Sequence, residues 1–73
     1  MAVLLTPQAL GVAVRARRKA KNLSQTQLAE LCGVSLRLVS ELERGRESVA
    51  FGRVLLICNR LGLDLAVSAR ELP

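Results

Sequence analysis

Leu10 and Val14 stand four residues apart behind Thr6-Pro7. A hydroxyl residue followed by proline is a helix start: the hydroxyl accepts from an orphan N–H, and proline has no N–H to leave unpaired. The spacing predicts a first helix from about Pro7 to Lys21. It closes on Arg15, Arg17, Arg18, Lys19 and Lys21, cations that suit the negative end of a helix dipole. Gly11 inside it costs about 1 kcal/mol relative to alanine and marks close packing. Ser24-Gln25-Thr26-Gln27 has the spacing of a capping box. Leu28 and Leu31 supply the buried stripe of a short second helix ending near Cys32, and Gly33 suits the left-handed position that follows. Only Gly33 and Val34 separate it from the next cap, Ser35. A third helix runs from Leu36 to Arg44 with Leu38, Val39 and Leu42 inward, and Gly45 ends it. A fourth carries Phe51, Val54, Leu55, Cys58 and Leu61 on one face and stops at Gly62. Ser48 is its best local cap, with a start nearer Ala50 as the alternative. Leu63, Leu65 and Val67 then alternate with Asp64, Ala66 and Ser68. That period of two predicts a strand over 63–69 with one buried face.

Two helices joined by a short glycine turn over residues 24–45 form a helix-turn-helix unit. Its internal positions are Leu23, Leu28, Leu31, Val34, Val39 and Leu42, and Ala29 is small enough for the third helix to cross closely. In such a unit the second helix of the pair enters the major groove, and its N-terminal residues meet base edges. The exposed positions there are Ser35, Leu36, Arg37, Ser40, Glu41 and Arg44. The competing possibility is an ordinary helical hairpin.

Length and composition fit one small domain. The chain has 73 residues, and its apolar positions are mainly Leu (15), Ala (9) and Val (8), which suits packed helices. So short a chain buries only about 60% of its unfolded surface and gains from a partner subunit. Its net charge is +5. Residues 1–29 hold five Lys or Arg and no acid, whereas residues 30–73 hold six of each sign. A purely basic half suits a polyanionic partner, although a solvated charged face gives the same count.

The composition also excludes chemistry. With no His, neither His-based catalysis nor a His-liganded zinc is available, and two Cys do not make a zinc site alone. One Phe with no Trp or Tyr leaves no stacking platform for single-stranded nucleic acid. No nucleophile–base pair or phosphate loop is present, so no enzyme activity and no cofactor are expected. No stretch approaches the ~18 apolar residues of a membrane span, and the first residues lack the basic start of a signal peptide. Cys32 and Cys58 read as reduced core residues, and the expected location is cytoplasmic.

Ser24-Gln25-Thr26-Gln27-Leu28-Ala29-Glu30-Leu31-Cys32-Gly33-Val34-Ser35, followed by Val39-Ser40-Glu41-Leu42-Glu43-Arg44-Gly45, resembles the Xre/Cro-repressor helix-turn-helix family. The pattern spans about Leu10 to Gly62. Thr6-Pro7 and Leu61-Gly62-Leu63-Asp64-Leu65-Ala66-Val67 are more similar to the HipB-type antitoxin branch. The resemblance implies an all-α, lambda-repressor-like domain of four to five helices with one C-terminal strand paired across a dimer. It also implies a repressor of its own operon, partnered by a kinase-type toxin.

For individual residues the resemblance implies that Gln25, with Ser24 beside it, meets a phosphate at a helix N-terminus. Arg44 and Arg46 flank Gly45 where relatives meet the DNA backbone, and Arg17 joins them as the preferred third cation. Arg18 and Glu43 occupy positions that form an ion pair in relatives. Arg37 has the fork that reads guanine O6 and N7. Ser35 and Ser40 are short donors, and Glu41 has the chemistry to accept from cytosine N4. Leu36 departs from the polar reader common in relatives and is limited to a thymine methyl.

A lone strand leaves its backbone groups unpaired. Ala2 to Leu5 is the one other short candidate. A pairing of two copies about a two-fold axis, burying Leu63, Leu65 and Val67, is the simpler solution. It would set two reading helices about 34–36 Å apart on a palindromic operator. Two alternatives remain at this point: a stand-alone or phage-type regulator without a toxin, and a protein-interaction module that has lost DNA binding.

Overall fold

The computed structural model describes residues 6–67 and 69. These form four helices, α1 (Pro7–Ala20), α2 (Gln25–Cys32), α3 (Leu36–Glu43) and α4 (Phe51–Leu61). The caps follow local chemistry. Thr6 Oγ1 accepts from Ala9 N at 3.0 Å. Ser24 Oγ accepts from Gln27 N at 3.0 Å, and Ser24 N donates to Gln27 Oε1 at 2.8 Å, so the capping box is closed at both ends. Ser35 Oγ accepts from Leu38 N at 3.0 Å. Gly33 and Gly62 are left-handed, with φ of 67° and 71°, and end α2 and α4. Lys21 and Arg44, expected inside their helices, are instead the C-terminal caps of α1 and α3. Helix α4 begins after Ala50 with no side-chain cap, so Ser48 does not cap it.

One core joins all four helices: Val14 from α1, Leu28, Ala29 and Cys32 from α2, Val39 and Leu42 from α3, and Val54, Ile57, Cys58 and Leu61 from α4. Each full-sized aliphatic side chain here contributes roughly 1.5–3 kcal/mol by leaving water. Three expected core residues lie outside it. Leu31 is 50% exposed, Phe51 69% and Leu55 42%. The inward stripe of α2 runs 28, 29, 32, which leaves position 31 roughly 100° off its centre at 3.6 residues per turn. Val54 to Cys58 is an unbroken apolar run, so helical spacing alone fits two phases. The phase adopted buries Ile57 and turns Leu55 outward. Cys32 and Cys58 are both free and buried, and burial pushes both thiols above the ordinary value of 9.0.

Residues 63–67 and 69 take no regular secondary structure, and Ser68 and Ala2 to Leu5 lie outside the described residues. The strand expected over 63–69 is therefore not formed within the described single chain. A strand exists only through its ladder, and no described segment pairs with this one. Leu63 packs against the core, Leu65 is 39% exposed and Val67 fully exposed. Among the described residues no helix is long and apolar enough to cross a membrane.

Helices α1 and α3 make the closest approach. A Cβ on Gly11 would fall 2.6 Å from Leu42 O and 2.7 Å from Glu43 O. Gly45 (φ 79°) sits on Gln8, where a Cβ would fall 2.8 Å from Gln8 Cα. About two turns beyond Gly11 along α1 lies a buried ion pair. Arg18 Nε donates to Glu43 Oε2 at 2.6 Å and Nη2 donates to Oε1 at 3.0 Å. Arg18 Nη1 donates to Leu23 O in the α1–α2 loop at 2.7 Å. The two side chains are 9% and 3% exposed. Hydrogen bonding to Glu43 raises the pKa of Arg18, against an opposing effect of burial, so the guanidinium stays charged.

Three outcomes are expected. Gly11→Ala lowers stability by about 1–3 kcal/mol, because the clash is with backbone and outweighs the better helix propensity; a denaturant midpoint at or above wild type would contradict the approach. Arg18→Ala leaves Glu43 buried without its cation, at a loss on the order of 3–5 kcal/mol. Thermal melting reads it, and an unchanged melting temperature with weakened DNA binding would assign Arg18 to the ligand instead. The thiols give a pH signature. Their folded values lie above the unfolded ones, so their contribution is complete below the unfolded value and is lost as pH rises through the folded values. The denaturant midpoint should fall above about pH 9, and the paired change Cys32→Ala and Cys58→Ala should flatten that decline.

Candidate nucleic-acid interface

Of the residues expected to meet DNA, Ser24, Gln25, Ser35, Leu36 and Arg37 lie at the N-terminal ends of α2 and α3, whereas Ser40 and Glu41 lie further along α3 and Arg44 and Arg46 follow it. Neither helix carries an acidic residue in its first turn, so the positive ends of both helix dipoles are uncompensated. On α3, Ser35, Leu36 and Arg37 are exposed, while Ser40 and Glu41 are half-buried. The Arg37 side chain is 88% exposed. Its Nε donates to Glu41 Oε1 at 2.7 Å, one helical turn away. That bond occupies Nε and leaves the two terminal nitrogens as an outward fork, the geometry of a bidentate base contact. Glu41 thereby holds Arg37 rather than projecting as an independent acceptor. Leu36 is 48% exposed, an apolar side chain at the entry of the helix.

Gln25, the first residue of α2, is half-buried. Its Nε2 donates to Glu43 Oε1 at 3.1 Å, so the side chain leans on the Arg18–Glu43 pair. Ser24 is exposed, and its oxygen accepts the cap bond, which leaves the hydroxyl proton free to donate. Arg44 and Arg46 are exposed on either side of Gly45. Arg17 is also bonded to the fold. Its Nε donates to Leu61 O at 2.8 Å, so it closes the carbonyl end of α4 and ties α1 to that helix. The residue is nonetheless exposed, like Arg44 and Arg46, and its terminal nitrogens lie outside this bond.

A cleft of ≈ 350 Å³ adjoins this face, between α3 and the start of α4. Ser35, Arg37 and Glu41 line it from α3, and Ser48 and Arg53 from the other side. Arg53 escaped the sequence reading. It adds a cation beside Arg37 from a position sixteen residues away, and no local motif marks it. Among the described residues no cluster of His, Cys, Asp or Glu is suited to hold a metal.

Comparison with known proteins accords with this geometry. A helix-turn-helix family model matches residues 14–67. Over 64 residues the chain is 39% identical to an uncharacterized HTH-type transcriptional regulator, y4mF, of Sinorhizobium fredii, covering 88% of this chain and 84% of that one. Its fold is similar to a solved HipB–O4 20mer complex (TM-score 0.84, 18% identity, 97% of this chain and 100% of that chain). It is equally similar to a solved HipA–HipB–O2–O3 complex (TM-score 0.85, 18% identity, 97% and 100%). At that identity the two structures speak to the fold alone. The family match covers most of the chain, and the protein belongs to the Xre-type helix-turn-helix family.

Proposed function

We propose that this protein is a sequence-specific, double-stranded DNA-binding transcriptional repressor that grips a palindromic operator as a homodimer. The observation that carries the proposal is the exposed N-terminal half of α3, where Arg37 stands 88% exposed with Glu41 bracing its Nε. Arg37 reads a guanine, with Ser35, Ser40 and the Leu36 side chain against neighbouring base edges. Arg17, Ser24, Gln25, Arg44 and Arg46 meet phosphates, and Arg53 joins them from the start of α4.

The tail supports the dimer. Leu65 and Val67 are exposed on a segment with no ladder of its own, and Phe51 and Leu55 are exposed on nearby α4. A groove of ≈ 380 Å³ lined by Leu10, Leu42, Val49, Phe51, Val54 and Leu65 lies at this side. Antiparallel pairing of two tails across a two-fold axis would satisfy the backbone and cover these side chains. The finer assignment is a HipB-like antitoxin in the cytoplasm that represses its own operon and binds a kinase-type toxin. It rests on the Leu61-Gly62-Leu63-Asp64-Leu65-Ala66-Val67 resemblance and on the likeness to the HipB folds above. Leu36 favours a second reading, a protein-interaction module, because an apolar side chain on the reading face suits protein as well as a thymine methyl.

Band-shift with DNA from upstream of the chain's own gene separates the two. A shift at low salt is expected, with log K falling against log salt by roughly 0.9 for each phosphate neutralised. Arg37→Ala should lose ~1–3 kcal/mol and relax specificity at one position of each half-site, whereas Gln25→Ala should weaken all sequences alike. No shift on any upstream fragment would leave the interaction module. A monomer mass by light scattering at working concentration would remove the palindromic grip.

A further inference from the structure

We propose that Glu43, buried at the α1–α3 contact, is a positioning residue for the DNA contact made by Gln25, so that one carboxylate serves both the fold and the grip. This rests on the reading of Gln25 as a phosphate contact. The Glu43 side chain is 3% exposed, yet it accepts more than the ion pair requires. Oε2 takes Arg18 Nε, while Oε1 takes both Arg18 Nη2 and, at 3.1 Å, Gln25 Nε2. An ionised carboxylate has about four acceptor sites, so the third bond does not displace the first two.

The chemistry of that third bond fixes what Gln25 presents. A carboxylate only accepts, so the amide nitrogen of Gln25 must face Glu43. One of its two N–H groups is spent there. The other lies in the same plane of the amide and is left to donate outward from the start of α2. A free glutamine side chain at this position would sample many rotamers and lose that freedom on binding. Here part of that loss has occurred before DNA arrives. Arg18 adds an electrostatic condition. A bare carboxylate beside Gln25 would repel a phosphate, and the bidentate guanidinium neutralises it.

The test is a double-mutant cycle on the full chain, with fluorescence anisotropy on its own upstream DNA at fixed salt. Arg18→Met with Glu43→Met replaces the pair by apolar side chains of similar size, a change that buried pairs often tolerate. Gln25→Ala in the native background should weaken binding roughly tenfold. The Met/Met chain should melt near the native temperature, bind several-fold more weakly, and lose little more when Gln25→Ala is added. If the folded Met/Met chain binds as tightly as the native one, or if Gln25→Ala costs it the full factor, Glu43 does not position Gln25. If Gln25→Ala is silent in the native chain, the phosphate assignment itself falls, a separate outcome. Should the Met/Met chain fail to fold, the native protein still decides. The Gln25 side-chain amide protons should exchange more slowly in NMR than those of Gln8, and should shift on adding DNA. Amide protons as labile as those of Gln8 would overturn the proposal.

Discussion

The C-terminal end of α3 is pinned onto α1, and the rest of the structure depends on that contact. Gly11 lets the backbone of α1 meet the carbonyls of Leu42 and Glu43, and Gly45 lets the chain turn directly against Gln8. No side chain of any size fits between them. Helix α3 has eight residues, a rod of roughly 12 Å. Fixing one end of so short a rod against the longest helix sets the direction in which its other end, with Ser35, Leu36 and Arg37, projects. The aim of the reading face is thus decided at the opposite end of the helix.

A buried ion pair is a poor device if stability alone is at stake, because desolvation consumes much of the Coulomb gain and apolar replacements often do as well. What Arg18 and Glu43 add is direction. A guanidinium is a planar fork whose bonds must be met in fixed geometry. Here its nitrogens reach Glu43 on α3 and the Leu23 carbonyl between α1 and α2. Slippage of α3 along α1 would break the bidentate match and strand a charge. Leucines packed at the same place would tolerate a small slide. The pair therefore trades little stability for a defined register.

The sequence is most legible where structure is local. The capping box at Ser24 and Gln27, the Ser35 cap and the glycine ends at 33 and 62 each involve groups within a few residues, and all are formed. The close approach at Gly11 was legible because a glycine inside a helix has few other uses. Phase was harder to read. In Val54-Leu55-Leu56-Ile57-Cys58 every residue is apolar, so periodicity does not choose between burying Leu55 and burying Ile57; packing against the other helices does. The partners of charged side chains were least legible. Arg17 and Arg18 are adjacent and chemically identical; the family resemblance marked Arg18 as the partner of Glu43, as found, but nothing marked the bond of Arg17 to Leu61 O. Arg53 lines one cleft with Arg37, sixteen residues away, and Gln25 bonds Glu43, eighteen residues away, and neither contact has a trace in local spacing.

That distinction bears on how basic charge should be read. Five cations and no acid in residues 1–29 suggest a continuous electropositive arm. In the folded chain two of the five are bonded within the chain: Arg17, still exposed, meets a helix carbonyl through Nε, and Arg18 meets a buried carboxylate. Arg18 is also neutralised by its partner and adds almost nothing to the field outside. Arg37, Arg44, Arg46 and Arg53 come from the half of the chain whose charges balance, yet they are exposed around α3 and the start of α4. Arg15, Lys19 and Lys21 are exposed as well, so the field that meets a polyanion combines them with these arginines and with helix ends that carry no acidic residue. An even distribution of charge along a sequence is compatible with a strongly polarised surface, provided that the acids are placed where they brace a cation, as Glu41 does, or lie buried against one, as Glu43 does.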